Sequence, residues 1–248
     1  MNAALSKVPQ LTLGFWIIKI LATTLGETGG DAVSMSMDLG YLVGTAIFMT
    51  LFVGAVALQI TASIFHPALY WLTIVASTTV GTTLADFADR SLGIGYPGGS
   101  LLLAGLLGLA LLAWYRSLGT INVGSVYTAR SESFYWVTIM LSQTLGTALG
   151  DWTADSMQLG YMGAALVFGC LLVLVLIAYW LTAISRTLLF WAAFVLTRPL
   201  GAVLGDYLDK PVAQGGLAFS RYAASAVLLA AIVVLIVILP QRAAKRTH

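Results

Sequence analysis

Four aspartates recur at a fixed distance behind a glycine in a chain that contains few charges. The four pairs are Gly26–Asp31, Gly81–Asp86, Gly146–Asp151 and Gly201–Asp206. Each pair lies in an apolar stretch, and a carboxylate inside a bilayer is costly enough to indicate a function. Carboxylate oxygens are the preferred ligands of hard cations such as Mg²⁺, Ca²⁺ and Mn²⁺. The spacing therefore predicts that the four aspartates are metal ligands in a polar site inside a membrane.

Further polar residues in the same stretches extend this candidate site. The other predicted ligands for an ion or a substrate are Glu27, Thr24, Thr79, Gln143, Thr144, Arg198 and Lys19. The two bases leave an excess of three negative charges over the five acids, which a bound cation would neutralise. Arg198 is expected to neutralise one of the aspartates. The motif glycines are expected to interrupt the helices and to expose carbonyl oxygens as further ligands.

The aspartates belong to a repeat that occurs four times along the chain. A tryptophan stands ten residues before each motif glycine, at Trp16, Trp71, Trp136 and Trp191. Consecutive tryptophans are 55, 65 and 55 residues apart, so the chain divides into two halves, each a pair of repeats. We predict a single membrane domain over residues 1–248, with repeats at 11–63, 68–115, 133–182 and 187–239.

This pattern resembles a bacterial family of small membrane proteins that contain four copies of a repeat of unknown function. The resemblance rests on the recurrent tryptophan and the Gly-x4-Asp motif, and it covers nearly the whole chain. It implies two transmembrane segments in each repeat and therefore eight in all. It implies no established activity.

The composition is that of an integral membrane protein. Hydrophobic residues make up 59 % of the 248 positions, charged residues make up 9 %, and the mean hydropathy is +0.93. A soluble domain of this size carries far more charge. A hydrocarbon core of ~30 Å requires about 20 apolar residues of helix, and a lone extended segment cannot satisfy its backbone there. The sequence predicts an all-α polytopic protein with helices near 11–30, 39–63, 68–86, 98–115, 133–151, 159–182, 187–206 and 217–239.

The distribution of basic residues predicts the orientation in the membrane. Seven lysines and arginines fall on the side of both termini, and three fall on the side of the aspartates. Because cytoplasmic loops are enriched in basic residues, we expect both termini in the cytoplasm of a bacterium and a multi-pass protein in its inner membrane. The tryptophans are expected at the cytoplasmic interface, and Asp89, Asp155 and Asp209 are expected in solvated loops.

Transport of a hard divalent cation, with Mn²⁺ export as one form, is the function we expect from this site. The partners are then the lipid bilayer and a small ion or solute, with the cation as substrate and no cofactor. The net charge of +2 gives no indication of binding to nucleic acid. We expect no enzymatic activity. The sequence permits a homo-oligomer as well as a monomer.

Three alternatives remain open from the sequence. A proton-coupled transporter of a small organic solute would use Arg198 to bind an anionic group and the acids to relay protons. Leu-Gly-Asp at 149–151 and 204–206 resembles the Gly-x-Gly-Asp of membrane aspartyl proteases, but the first glycine of that motif is missing. A structural or regulatory subunit would need the aspartates only as helix caps and the threonines only as helix contacts.

Overall fold

The computed structural model describes residues 6–91 and 93–244. Within these residues it contains eight α-helices, which confirms the predicted all-α fold of four two-helix repeats. They are α1 (Leu13–Asp31), α2 (Gly40–Thr61), α3 (Pro67–Asp86), α4 (Gly95–Leu118), α5 (Ala129–Asp151), α6 (Gly160–Leu181), α7 (Arg186–Asp209) and α8 (Arg221–Ile238). The predicted boundaries differ from these by at most four residues.

The first helices of the four repeats form a closed inner ring. α1 packs against α3, α3 against α5, α5 against α7, and α7 returns to α1. In the apolar span of α3, 72 % of the residues are buried, against 11 % in the span of α6. The motif residues therefore lie in helices that are surrounded mainly by protein.

The second helices of the repeats cover this ring from outside. α2 packs on α3, α4 on α5, α6 on α7, and α8 on α1. Each repeat thus places its second helix against the first helix of the next repeat, and the last repeat closes the circle onto the first. This cyclic arrangement gives the chain a pseudo-fourfold axis through the middle of the ring.

The motif glycines are contact points between neighbouring ring helices. A Cβ atom on Gly81 would lie 2.8 Å from the carbonyl carbon of Gln143 and 2.9 Å from the backbone nitrogen of Thr144. The contact recurs cyclically in the pairs Gly26–Thr78, Gly81–Gln143, Gly146–Arg198 and Gly201–Thr23. Small residues permit such close approach of helices in membrane proteins. The four ring helices run through these glycines without a break, so the prediction of interrupted helices is wrong.

Six helices of the described chain are long and apolar enough to cross a membrane, namely α2, α3, α4, α6, α7 and α8. α1 and α5 are less apolar than these six helices, and they lie in the same ring as α3 and α7. Because α8 covers α1 and α4 covers α5, these two helices are shielded from lipid by protein. The helices identify the chain as a membrane protein.

Three motif tryptophans are buried in the ring and do not form a belt at the lipid interface. Trp71, Trp136 and Trp191 are at most 4 % exposed. They pack against an aromatic layer that consists of Phe15, Tyr70, Tyr135 and Phe190. The predicted interfacial position is wrong for these three because their side chains fill the space between neighbouring ring helices. Residues 6–10 pair with residues 242–244 through backbone hydrogen bonds.

Candidate functional site

Every fourth residue of the ring helices lies in a layer around the axis of the ring. The side chains at these positions are at most 5 % exposed. Contacts between opposite helices identify the axis: Lys19 of α1 lies 3.4 Å from Gln143 of α5, and Arg198 of α7 lies 2.6 Å from Thr82 of α3. After the aromatic layer come the Lys19 layer (Lys19, Ile74, Ile139, Phe194), the Arg198 layer (Thr23, Thr78, Gln143, Arg198), the Glu27 layer (Glu27, Thr82, Thr147, Ala202) and the aspartate ring (Asp31, Asp86, Asp151, Asp206).

Lys210 joins the motif aspartates of the first and fourth repeats. Its Nζ lies 2.5 Å from Asp31 Oδ2 and 3.0 Å from Asp206 Oδ1. Burial acts to lower the pKa of Lys210, but the carboxylates of Asp206, Asp31 and Asp209 outweigh this effect and raise the pKa. The ammonium group therefore stays charged at physiological pH and holds both carboxylates.

Arg90 makes the equivalent contacts in the opposite half of the aspartate ring. Its guanidinium lies 3.0 Å from Asp86 and 3.3 Å from Asp151, and so joins the second and third repeats. Arg90 and Lys210 both stand nine residues after a motif glycine, in alternate repeats. The sequence analysis left both bases outside the site. With them included, the predicted excess of three negative charges falls to one.

Two of the three acids that follow the motif are buried. Asp89 and Asp209 are 8 % and 7 % exposed, so the prediction of solvated loops is wrong for both. Asp209 lies 3.0 Å from the Nε of Arg221, and the same nitrogen is 3.8 Å from Asp31. Asp155 is exposed, as predicted. The Asp209–Arg221 pair adds no net charge to the site.

The motif aspartates do not act as helix caps. α1, α3 and α5 each continue past their aspartate into a π-helical turn, and these turns are Ala32–Ser36, Phe87–Ser91 and Trp152–Ser156. α7 continues through Asp206 to Asp209. Neither Asp31 nor Asp151 makes a side-chain capping hydrogen bond. π-helical turns are rare in proteins, and those that occur are often found at functional sites. Their repetition directly after the motif therefore supports a functional site near the four aspartates.

Arg198 is buried at the centre of the ring and contacts all three other repeats. Its Nη1 and Nη2 each donate to Glu27 Oε2 at 3.1 Å. Nη2 also donates to the Thr147 hydroxyl at 2.5 Å, the Thr82 hydroxyl at 2.6 Å and the Thr78 carbonyl at 3.4 Å. Arg198 therefore pairs with Glu27, and the prediction that it neutralises a motif aspartate is wrong. The aspartates lie one layer beyond Glu27 and are held by Arg90 and Lys210.

Two small residues make room for the Arg198 side chain. Gly146 of α5 faces its aliphatic part, and a Cβ atom at Gly146 would overlap Cβ and Cγ of Arg198. Ala202 is the fourth member of the Glu27 layer, in which the other three repeats each supply an oxygen-bearing side chain. The guanidinium therefore reaches a layer in which its own repeat has no polar group.

Lys19 is a buried cation that has no carboxylate partner among the described residues. Its Nζ lies 3.4 Å from Gln143 Oε1 and 4.2 Å from the centre of the Phe194 ring. An amide oxygen and an aromatic face are weak substitutes for a counter-ion. The structure thus brings together the predicted site residues Lys19 and Gln143, next to the layer that contains Arg198.

Three predicted ligands bond within their own helices. The hydroxyls of Thr24, Thr79 and Thr144 donate to carbonyl oxygens four residues earlier, at 2.8–3.0 Å. The hydroxyls of Thr82 and Thr147 were also expected as oxygen donors, and they contact the axial guanidinium instead. Both residues stand directly after a motif glycine.

Three carboxylates converge at the inner edge of the aspartate ring. One oxygen from each of Glu27, Asp31 and Asp86 lies within 4.8 Å of the others, and all three side chains are buried. Asp31 Oδ1 has no hydrogen-bond donor within the part of the chain that the structure describes. We call these three residues the carboxylate trio. An all-oxygen set of this kind could hold a hard cation. A second such group contains Asp31, Asp206 and Asp209.

A polar cavity of about 400 Å³ lies against the two bases of the aspartate ring. Its lining residues are Arg90, Tyr96, Asp155, Tyr161, Lys210 and Gln214. Since Arg90 and Lys210 also bind the four aspartates, this outer cavity adjoins the aspartate ring.

Comparison with known proteins gives a family for the chain. Four stretches match the family described as "Repeat of Unknown Function (DUF347)", at residues 14–65, 69–120, 134–185 and 189–243. The chain belongs to this repeat family. The matches follow the four repeats identified in the sequence. No curated protein and no solved structure matches the chain significantly.

Proposed function

We propose that this protein transports a hard divalent cation along the axis of its helix ring. The observation that carries the proposal is the carboxylate trio, in which three buried acids from two repeats bring oxygens within 4.8 Å of one another. Each of the three acids also contacts a base, namely Arg198, Lys210 or Arg90, and a cation at the point where the acids meet would further reduce the repulsion between them. Ionisable groups within a membrane domain are characteristic of ion pathways.

The charge of the surrounding region also favours a cation. Besides the four motif aspartates, this end of the ring contains Asp38, Asp89, Asp155 and Asp209, and it contains three bases, Arg90, Lys210 and Arg221. Eight acids against three bases produce a negative potential at the outer cavity. Such a potential concentrates cations at the entrance and repels anionic solutes.

The ion pair of Arg198 and Glu27 separates the trio from the Lys19 layer. Glu27 belongs both to the trio and to this pair. A cation in the trio therefore competes with Arg198 for the same carboxylate. Release of Arg198 by the incoming cation would couple binding to opening of the axis, as alternating access requires.

We further propose the inner membrane of a bacterium as the location, with both termini in the cytoplasm and the aspartate ring towards the periplasm. The support is the excess of basic residues on the side of the termini. In this orientation, an imported cation would enter the outer cavity from the periplasm, and an exported cation would leave through that cavity into the periplasm. Mn²⁺ export would follow the second route.

Proton-coupled transport of a small organic solute is the second candidate. The outer cavity favours it, because about 400 Å³ lined by two tyrosines and two bases is large enough for a small solute. The same acids would then carry protons instead of a metal ion.

Flux measurements in proteoliposomes test the proposal. The purified protein is reconstituted, and uptake of Mn²⁺, Mg²⁺, Ca²⁺, Zn²⁺ and Co²⁺ is compared with uptake by empty liposomes. We expect protein-dependent flux of at least one of the hard cations Mn²⁺, Mg²⁺ and Ca²⁺. No flux of any metal by folded protein would contradict the proposal, and proton flux driven by an organic solute would favour the second candidate.

A further inference from the structure

One nitrogen atom of Arg198 has more oxygen neighbours than it has hydrogens to donate. Nη2 has four oxygen neighbours, from Thr147 at 2.5 Å, Thr82 at 2.6 Å, Glu27 at 3.1 Å and the Thr78 carbonyl at 3.4 Å. A guanidinium nitrogen at this position carries two hydrogens. Four oxygens around one nitrogen with two hydrogens resemble the coordination shell of a spherical ion more than the hydrogen-bond acceptors of a planar guanidinium group.

The rest of the guanidinium fits its surroundings poorly. Both Nη atoms contact the same oxygen of Glu27, whereas a bidentate pair would use both carboxylate oxygens. Nε of Arg198 is buried and has no hydrogen-bond acceptor among the described residues. The oxygens are thus arranged around the point occupied by Nη2, and the remainder of the side chain is not matched to them.

We propose that these four oxygens form a binding site for a monovalent alkali cation, and that Arg198 Nη2 occupies it in this chain. The site consists of the Glu27 carboxylate, the Thr82 and Thr147 hydroxyls and the Thr78 carbonyl. One carboxylate and three neutral oxygens carry a single negative charge, which one monovalent cation neutralises as Arg198 does. This alkali site does not depend on the proposed transport of a divalent cation. Any role of the site in transport rests on that proposed function.

The repeats supply the substitutions that empty this site with least disturbance. The residue equivalent to Arg198 is Thr23 in the first repeat, Thr78 in the second and Gln143 in the third. Each of these packs against a motif glycine, as Arg198 does against Gly146. Arg198→Thr and Arg198→Gln therefore introduce residues that fit the same contact and remove the tethered charge.

The melting temperature of purified protein in detergent tests the proposal without any flux measurement. It is recorded in NaCl, KCl and choline chloride at equal ionic strength. We expect Arg198→Thr to melt about 5 °C higher or more in at least one alkali salt than in choline chloride, with saturation as the salt concentration rises. The wild type and Arg198→Lys, which keep the tethered cation, should show no such difference.

The double variant Glu27→Gln/Arg198→Thr serves as the control for the site, because it lacks the only carboxylate, and it should lose the alkali effect. The proposal would be overturned if the melting temperatures of both Arg198→Thr and Arg198→Gln were the same in NaCl, KCl and choline chloride. Failure of both variants to fold in any salt would also overturn it, since an alkali cation should replace the lost charge. An alkali effect in a protein without metal flux would leave this site standing and remove only the proposed function.

Discussion

Lys210 reaches from the end of the fourth repeat to Asp31 of the first, at 2.5 Å, and so closes the ring of repeats electrostatically. The same ammonium holds Asp206 of its own repeat at 3.0 Å. Arg90 repeats this arrangement between the second and third repeats. The aspartate ring is therefore two pairs of carboxylates, each held by one base, and its stability depends on both bases.

Replacement of Lys210 by glutamine should destabilise the protein by about 3–5 kcal/mol, because it removes the base that lies nearest to two buried carboxylates. Lysine-to-arginine replacement at the same position should retain most of the stability. The measurement is thermal unfolding in detergent. Arg116→Gln, at an exposed base, is the control and should have little effect. A loss for Lys210→Gln no larger than that of the control would contradict this description of the ring.

Glu27 and Arg198 should show strong energetic coupling. Glu27→Gln leaves a buried guanidinium without its carboxylate, and we expect a loss of about 3–5 kcal/mol. In choline chloride, where no alkali cation can replace the guanidinium, Arg198→Gln should cost a similar amount, whereas the double variant should lose clearly less than the sum. A double-mutant cycle of unfolding free energies measures the coupling. Additive losses would show that the two side chains do not depend on each other.

Lys19 should behave in the opposite way to Arg198. Since Gln143 and Phe194 are the close partners of Lys19 among the residues that the structure describes, its buried charge is poorly compensated. Lys19→Met should therefore leave the melting temperature unchanged or raise it, because an apolar side chain of similar length replaces an isolated cation. Differential scanning fluorimetry in detergent is sufficient. A loss as large as that of Arg198→Gln would mean that Lys19 has a counter-charge that its contacts do not reveal.

Gly81 should be sensitive to the addition of even a small side chain. A Cβ atom there would meet backbone atoms of Gln143 and Thr144 at 2.8–2.9 Å, so α3 and α5 would have to separate. We expect Gly81→Ala to cost about 1–3 kcal/mol. Gly105→Ala is a matched control, because Gly105 lies within α4 and a Cβ atom there would meet no described heavy atom within 4 Å apart from the backbone of its own helix. Equal stability of the two variants in thermal unfolding would contradict the close packing of the ring.

The sequence was sufficient to predict the helices and the repeats, because apolar length and motif spacing are local properties. It also predicted a common site for Asp31 and Asp86, since each stands five residues after a motif glycine, and added Glu27, which stands directly after Gly26. It could not show that Arg90 and Lys210 reach the aspartates. Those contacts depend on which repeats are neighbours and on a π-helical turn that carries Arg90 inward.

The rotation of each ring helix was the second property that the sequence left open. Thr78 and Thr79 are adjacent, and either could have faced the axis. The structure places the Thr78 carbonyl against Arg198 and the Thr78 side chain against Gly26 of α1, while the Thr79 hydroxyl bonds within α3. Amphipathic periodicity gives no guidance here, since polar and small residues occur on several faces of each ring helix.

The most direct test of cation transport through the carboxylate trio compares Asp31→Asn with Asp38→Asn in Mn²⁺ flux into proteoliposomes. Both changes remove one negative charge near the same end of the chain's first helix, but Asp38 is exposed and outside the trio. We predict that Asp31→Asn reduces Mn²⁺ flux at least tenfold, which is the scale expected for loss of a buried metal contact. Asp38→Asn should leave the flux within twofold of the wild type, and both variants should fold. Equal flux by the two variants would contradict a cation site at Asp31.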